Sequence, residues 1–503
     1  MSPLELIFPF FIIFLSRCVY LIYFHPLSAY PGPLLAKLTN FWSLFIYLQG
    51  NQHHIHSTLH ARYGTIVRAG PNRLLFSSLS AYRTIYGTDI RRLAKGDFYL
   101  LAGPTDDKRA SSFATKNPDL HRDKRRKVVF TALTPRALMS YRPIIQKNVE
   151  HFISHLSENI TSSSIQAKQK KEESLNSINI APKLEKLTLQ LLLKVIFGQT
   201  YNFIGSDHDL FNLISSRAKI VRLAFGLGLV PWLAQAFSKF RFNKLSYDTQ
   251  GHPIGFTAVV DLAQTACFRK NQEDDDVKNM QESIIKNFLL VGPTTTTTDR
   301  TRKPTSDHHY FVLSETINMA FAGTASTAAS LAAIIHELSL HPSWQDRILA
   351  ELQTNTSNPS TIDPPISNPQ PPPTPLLQAF IHESLRIHPP FPSPFEREIR
   401  PGGELLIPGI KGPLPVGTTV ACNIYVICYS VEAYGDDAGE FKPERWLGGG
   451  GDEDYGDRGR EKRRMMEDAW AVFSRGNRGC LGKELAMMIL LNVISTVSTS
   501  PSP

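Results

Sequence analysis

The sequence predicts a mainly α-helical fold with a small β region on its N-terminal side. Residues 184–197 and 313–340 are long, mostly apolar runs, and the second is too apolar to be a surface helix. Residues 63–71 and 73–76 instead have the pattern of two short strands joined by a Pro-Asn turn. No internal repeat and no linker between independent domains stands out in the 503 residues. One large domain behind an N-terminal segment is therefore the simplest partition.

Composition and charge narrow the class of protein. Hydrophobic residues make up 42% and charged residues 20%, as in an ordinary globular protein with a substantial core. The net charge is +9, but basic residues are not interleaved with aromatic ones, so we expect no nucleic-acid partner. An acidic protein partner or anionic lipid suits this charge better. The five cysteines show no Cys-x-x-Cys spacing, which favours a reducing compartment and predicts neither zinc fingers nor a disulfide framework.

The N-terminus predicts a membrane anchor over residues 4–24. Residues 6–24 are apolar except for Ser16 and Arg17, and nineteen helical residues span roughly 28 Å, close to the thickness of the bilayer interior. Residues 25–36 contain several prolines and predict a stiff hinge that cannot continue the helix. The alternative is a buried helix or hairpin of the main domain.

The most informative segment is residues 473–482, FSRGNRGCLG, which precedes an apolar helical run. A buried thiol normally stays protonated, and a thiolate needs backbone N–H groups or a metal to hold it. Glycines at this spacing let the backbone pass close to a flat partner. The spacing of Phe473, Gly476, Arg478, Cys480 and Gly482 resembles the haem-binding loop of the cytochrome P450 family. The alternative is an ordinary buried cysteine beside a helix.

This resemblance implies a cytochrome P450 fold and a haem-thiolate site. Cys480 would be the axial ligand of the iron of haem b (iron protoporphyrin IX), and Phe473 and Arg478 would lie against the cofactor. Two further arginines match family positions for the haem propionates, Arg125 and Arg397. His121 stands four residues before Arg125, where the family has a tryptophan, and an imidazole N–H can also donate to a carboxylate.

Two other motifs fit the same family. Glu383 and Arg386 lie three residues apart on a predicted helix after Pro375, and Arg445 resembles the third member of the family's Glu-Arg-Arg network. A guanidinium between partners could brace a loop against a helix, although the same residues could form a mere surface ion pair.

Residues 321–327, FAGTAST, resemble the oxygen-activating helix of the family. Here Ser326 takes the position of the threonine that helps to deliver protons, and Ala325 takes that of an acid. We expect Ser326 and Thr327 to be catalytic, since a hydroxyl can donate and relay a proton whereas alanine cannot. The alternative is a helix that packs closely through its small residues.

Other features are assigned no chemistry. Cys422 and Cys428 lie in a strand-like apolar segment, 420–429, and core packing is expected for both. The histidines at 53, 54, 56 and 60 predict a solvated helix face rather than a metal site. Residues 161–177, 294–298, 359–375 and 448–464 are polar or low in complexity.

Taken together, the resemblance implies a microsomal, fungal-type monooxygenase whose domain spans residues 37–503. It would oxidise a hydrophobic small molecule, for example a secondary metabolite, using O₂ and electrons from NADPH through a separate NADPH–cytochrome reductase. The expected location is the endoplasmic reticulum membrane, single-pass, with the catalytic domain on the cytosolic side.

Three alternatives remain open at this point. Ala325 would permit a haem-thiolate isomerase or dehydratase that consumes no O₂. Only 23 residues follow Cys480, fewer than the family pattern, so the chain is expected to be C-terminally short, which would permit an inactive haem-binding protein. The third is a basic nucleic-acid- or lipid-binding protein without haem.

Overall fold

A computed structural model describes residues 3–87, 92–99, 101, 108–170, 179–206, 208–239, 255–268, 282–290, 306–356, 374–402, 406–447 and 457–500. Of the low-complexity segments, 294–298 lies outside the described residues, as do most of 359–375 and parts of 161–177 and 448–464. The chain is mainly helical with one small sheet, so the expected fold class is confirmed.

The N-terminal half carries most of the short elements. Its helices and strands are α1 (Pro3–Val19), α2 (Leu34–Leu38), α3 (Phe41–Leu48), α4 (Gln52–Tyr63), β1 (Ile66–Gly70), β2 (Arg73–Phe76), α5 (Leu79–Ile85), β3 (Leu93–Lys95), α6 (Pro118–Ala132), α7 (Pro135–Lys170), α8 (Ile180–Phe197), α9 (Leu213–Gly228) and α10 (Pro231–Lys239).

The C-terminal half contains the long central helix and the cysteine loop. Its elements are α11 (Phe256–Phe268), α12 (Ile284–Leu290), α13 (Ser306–Leu340), α14 (Pro342–Thr356), α15 (Pro375–Ile387), β4 (Arg397–Ile399), β5 (Thr419–Cys422), α16 (Ile424–Cys428), α17 (Val431–Tyr434), α18 (Asp457–Ala469) and α19 (Lys483–Thr499).

The sheet is mixed, with strand order β1-β2-β5-β4-β3. Strands β1 and β2 form the expected antiparallel hairpin, and β2 pairs in parallel with β5. The prediction of one strand-like segment over 420–429 is wrong in its second half. Asn423 accepts a hydrogen bond from the Val426 N–H, so this side chain caps α16 and the chain turns helical after Cys422. Cys422 and Cys428 are both buried, as expected.

The main core surrounds the central helix α13. Side chains from α7, α8, α12, α13, α15 and α19 form one apolar cluster. Helix α13 approaches α8 closely at Gly323, where an added Cβ would lie 2.9 Å from Leu192 Cδ1. Gly323 therefore serves helix packing, the alternative that the sequence left open for this motif.

The N-terminal segment is helical, and a short π-helix at Tyr20–Phe24 follows α1. Phe10 and Phe14 are exposed by 73% and 61%, whereas Leu21 is buried. The buried Arg68 guanidinium donates to the Leu21 carbonyl at 2.8 Å and so ties the end of this segment to the β1 strand.

Helix α13 is the one described helix that is long and apolar enough to cross a membrane by length and composition, but it packs between core helices. The stretch from Phe8 to Phe24 is apolar and shorter.

The histidines of α4 differ from the prediction. His56 and His60 are buried, with 2% and 8% of their surface exposed, so the expected solvated face is wrong for these two. Asn423 Nδ2 donates to His56 Nδ1 at 3.1 Å. Burial first, then the neighbouring His60 and Arg73, lowers the pKa of His56 to about 3. Within the described ranges no group of three or more His, Cys, Asp or Glu side chains is arranged for a metal ion.

Candidate functional site

The cysteine loop is a tight double turn between α18 and α19. The Cys480 N–H donates to the Phe473 carbonyl at 2.8 Å, and the Gly479 N–H to the Gly476 carbonyl at 3.1 Å. Gly476 has a φ of +66°, and a Cβ there would lie 2.4 Å from the Gly87 carbonyl oxygen. A glycine is required at this point, because both the backbone conformation and the close approach exclude a side chain.

The Cys480 side chain is exposed at this turn. The surrounding protein atoms raise the pKa of its thiol by desolvation, and this is opposed by the backbone N–H groups of Gly482 and Lys483 and by the charges of Arg125 and Lys483. The first N–H groups of α19 therefore face the sulfur and favour a thiolate once a metal is bound.

Helix α6 holds the outer side of the loop. His121 Nε2 lies 3.1 Å from the Asn477 carbonyl oxygen, and Arg125 Nη1 donates to the Gly479 carbonyl at 2.5 Å. The spacing of four residues puts both side chains on one helix face, as expected. His121 Nδ1 lies 2.8 Å from the Ser112 carbonyl oxygen and 3.3 Å from the Lys95 ammonium, so both ring nitrogens face groups of the protein. The structure thus places His121 in the support of the loop, and its predicted contact with a propionate stays a prediction.

Arg397 is buried and Arg478 is half-buried, and the two cations are close enough to act on each other electrostatically. Arg397 is 3% exposed, donates to the Tyr99 hydroxyl at 2.9 Å and lies 5.0 Å from the Tyr86 ring centroid. Burial first, then the charge of Arg397, lowers the pKa of Arg478 to about 9. Buried cations that repel one another favour an anionic group between them. The two haem propionates would supply such charge, so these residues fit the cofactor.

Phe473 is anchored by its aromatic neighbours. Its ring meets Trp470 edge-on at 5.5 Å, and the Trp470 indole donates to the His382 carbonyl at 2.9 Å. These contacts tie the start of the cysteine loop to α15.

The structure brings Glu383, Arg386 and Arg445 together in a fully connected network. Glu383 is completely buried and accepts from both guanidinium groups, at 2.8 Å and 2.9 Å, and also from the Lys442 N–H and the Trp446 indole, both at 2.8 Å. Arg386 uses its other N–H groups on the carbonyl oxygens of residues 428, 438 and 440. The buried geometry excludes a mere surface ion pair.

The central helix presents a stripe of small residues. Ala322, Ala325 and Ala329 are exposed and Ser326 is half-buried, at the spacing of one helix face. The Ser326 hydroxyl donates to the Ala322 carbonyl at 2.7 Å. Thr327 is only 4% exposed, so the structure brings Ser326 to the accessible face and leaves Thr327 off it.

A buried polar cluster around Ser112 was missed from the sequence. Glu315 of α13 accepts from both the N–H and the hydroxyl of Ser112, and the Lys95 ammonium donates to the Ser112 carbonyl at 2.7 Å. Glu315 stands out in the sequence as an acid within a mostly apolar helical run. This could have indicated the cluster, since a buried carboxylate needs hydrogen-bond partners.

An accessible thiol on a glycine turn, backbone N–H groups facing it and cations beside it are features that suit a haem-thiolate site. The cytochrome P450 profile matches residues 31–497, and the chain therefore belongs to the cytochrome P450 family. This membership confirms the predicted family and the predicted fold, and the family implies a haem cofactor.

Similar proteins are fungal. The cytochrome P450 monooxygenase mpaDE′ of Penicillium brevicompactum is 27% identical over 91% of this chain, but the chain spans only 50% of that relative. The cytochrome P450 monooxygenase asR2 of Sarocladium schorii is 26% identical over 93% of this chain and 85% of its own length. A cytochrome P450 monooxygenase of Aspergillus flavus is 27% identical over 94% of this chain and 86% of its own length.

Proposed function

We propose that residues 37–503 form a haem b-dependent monooxygenase that oxidises a hydrophobic small molecule. One observation carries the proposal: Cys480 is exposed on a glycine turn that directs N–H groups of α19 toward its sulfur. Haem b with a thiolate ligand supplies the activation of O₂ on its iron. Cys480 would be its protein ligand, and Arg125, Arg397, Arg478 and His121 are the candidates for holding its carboxylates.

The substrate would lie against the stripe of Ala322, Ala325 and Ala329. Small apolar side chains leave room for a bulky ligand, and burying the apolar surface of that ligand against them is favourable. Ser326 is the one hydroxyl on this stripe and is the candidate for proton delivery. A fungal secondary metabolite is the proposed substrate class, supported by the fungal relatives.

The electron donor would be an NADPH–cytochrome reductase. Helix α6 contacts the cysteine loop through His121 and Arg125, and on its outer side Arg122, Arg126 and Lys127 are exposed. These cations suit an acidic protein surface close to the metal ligand. The apolar N-terminal helix would anchor the chain, single-pass, in the endoplasmic reticulum membrane with the domain in the cytosol.

The test is the reduced, carbon monoxide-treated spectrum of the purified full chain. We expect the Soret band of a thiolate-ligated haem, its loss in Cys480→Ala and its retention in the matched variant Cys18→Ala, whose cysteine lies in α1. A chain that takes up no haem would refute the proposal. With reductase present, NADPH oxidation should slow as salt rises, because screening weakens the contacts of the α6 cations.

Ala325 supports a second candidate, an isomerase or dehydratase that consumes no O₂. The exposed stripe carries alanine where the family has an acid, so a reaction that needs no proton delivery suits it. Product formed without consumption of NADPH or O₂ would favour this candidate. One O₂ consumed for each product would exclude it. In that case we expect Ser326→Ala to lower the product formed per NADPH, and Ser326→Thr to retain it.

A further inference from the structure

We propose that Glu315 is a positioning residue for the cysteine loop, acting through Ser112, Lys95 and His121. It lies on the central helix α13, and its carboxylate hydrogen-bonds Ser112 of the loop 108–117. The inference goes beyond the proposed function, and only its haem-retention readout rests on that function.

The first step is the grip of Glu315 on Ser112. The carboxylate is fully buried, and its two oxygens accept from the Ser112 N–H and, at 2.9 Å, from the Ser112 hydroxyl. Both donors come from one residue of the loop 108–117, so the position of Ser112 is fixed in two directions. A buried carboxylate holds its donors tightly, because no water is present to replace them.

The second step is the Ser112 carbonyl. The Lys95 ammonium donates to it at 2.7 Å and to the Phe113 carbonyl at 2.6 Å, and lies 3.3 Å from His121 Nδ1. An ammonium has three donors and no acceptor, so Lys95 can hold both carbonyl oxygens at once. All polar groups of Ser112 are then engaged, with Glu315 on one side and Lys95 and His121 on the other.

The third step reaches the cysteine loop. The Ser112 carbonyl oxygen lies 2.8 Å from His121 Nδ1, and His121 Nε2 lies 3.1 Å from the Asn477 carbonyl oxygen. One imidazole ring therefore joins the loop 108–117 to the cysteine loop. His121 and Lys95 are each 4% exposed. Because Glu315 and Ser112 are buried as well, release of Glu315 would leave buried polar groups unpaired unless these members move together. A purely local role would loosen the loop 108–117 and leave Asn477 unaffected.

The test is hydrogen exchange on the full chain carrying Glu315→Gln. This change keeps the shape of the side chain but removes its negative charge, so the Ser112 N–H and hydroxyl lose the charged acceptor that holds them most strongly. We expect at least about tenfold faster exchange at residues 108–117 and also at 476–482. Faster exchange at 108–117 alone would overturn the proposal, and so would unchanged exchange at both.

The matched control is Glu337→Gln. Glu337 is a second buried carboxylate on α13, and His388 Nε2 donates to it at 2.6 Å, outside the Ser112 cluster. Faster exchange should then be confined to the neighbourhoods of residues 388 and 341, since His341 Nδ1 lies 3.4 Å from the other carboxylate oxygen of Glu337. If Glu337→Gln also loosens 476–482, the effect is a general one of helix α13 and the proposal fails.

Two additions keep the test decisive. Ser112→Ala removes only the hydroxyl contact and serves if Glu315→Gln does not fold. Its expected effect is smaller but has the same two locations, and faster exchange at 108–117 alone would overturn the proposal. In the haem-loaded protein, Glu315→Gln should speed transfer of haem to apomyoglobin about tenfold. If the chain binds no haem, the proposed function fails, while exchange at 476–482 still decides the role of Glu315.

Discussion

Replacing Glu383 by glutamine tests whether the buried ion network supports the domain. Both carboxylate oxygens accept at least two N–H groups, so the amide NH₂ of the new side chain would face donors whichever way it turns. The change also leaves Arg386, which is fully buried, without its counter-charge. Breaking a buried pair in this way costs about 3 to 5 kcal/mol.

The assay is the thermal midpoint of the full chain. About 2.1 cal/mol/K of unfolding entropy per residue gives roughly 1 kcal/mol/K for a chain of this size, so we expect Tm to fall by about 3 to 5 °C. The matched control is Glu444→Gln. Arg347 lies 3.0 Å from Glu444, close to the 2.9 Å between Arg445 and Glu383. The side chains of Arg347 and Glu444, however, are 42% and 49% exposed. An exposed pair contributes under about 1 kcal/mol, so Tm should shift by less than about 1 °C.

Equal shifts in Tm for Glu383→Gln and Glu444→Gln would refute the reasoning, since burial would then not decide how much an ion pair contributes to stability. The pH dependence provides a further check. Burial alone would raise the pKa of Glu383, but the hydrogen bonds and charge of Arg386 lower it below the usual value. A carboxylate whose pKa is lower in the folded state stabilises the fold above about pH 4.5, and this contribution is lost as the pH falls further. The glutamine variant should lack that part of the acid sensitivity.

Three other changes have expected outcomes of different kinds. Gly476→Ala should abolish haem uptake, because a Cβ would lie 2.4 Å from the Gly87 carbonyl oxygen; normal uptake in the carbon monoxide spectrum would contradict this. Gly323→Ala gains about 1 kcal/mol of helix propensity, but its Cβ would lie 2.9 Å from Leu192 Cδ1, and such overpacking costs about 1 to 3 kcal/mol. The urea midpoint of unfolding should therefore fall. A second change, Leu192→Val, should restore it. His56→Gln should make the free energy of unfolding fall less steeply as the pH drops below 6.5. A histidine whose pKa is about 3 in the folded state and normal in the unfolded state opposes folding in acid. An unchanged slope of stability against pH would count against this.

Much of the fold could be predicted because its signals are local. The central helix was expected from an apolar run longer than any strand, and the hairpin from two short strands around a Pro-Asn turn. The helix expected after Pro375 is α15, which begins at that residue. The Glu383 network was expected from spacing and resemblance, but its burial was not, since Glu-x-x-Arg has the same spacing on an exposed helix.

What the sequence did not predict depends on packing between distant segments. His56 is buried because α16 lies beside α4, and the residue that caps α16, Asn423, is 367 positions away. Gly323 faces Leu192 rather than the accessible stripe because α8 packs along α13. Ser112 carries no motif, and its role arises only where Glu315 and Lys95 converge on it.

The support of Cys480 depends on how the peptide groups of its loop are oriented. Carbonyl groups turn outward: Arg125 donates to that of Gly479, and His121 Nε2 lies 3.1 Å from that of Asn477. The N–H groups of Gly482 and Lys483 turn toward the sulfur. Each outward carbonyl is held by a side chain of α6, so a rotation of the loop that pointed oxygens at the thiol would have to break those bonds. Partial positive charge is thereby fixed at the sulfur before any metal binds, which is the preorganisation that a stable thiolate requires. The same bonds make the loop dependent on α6, and through His121 on the Ser112 cluster, so residues far from the sulfur can decide whether it is held correctly.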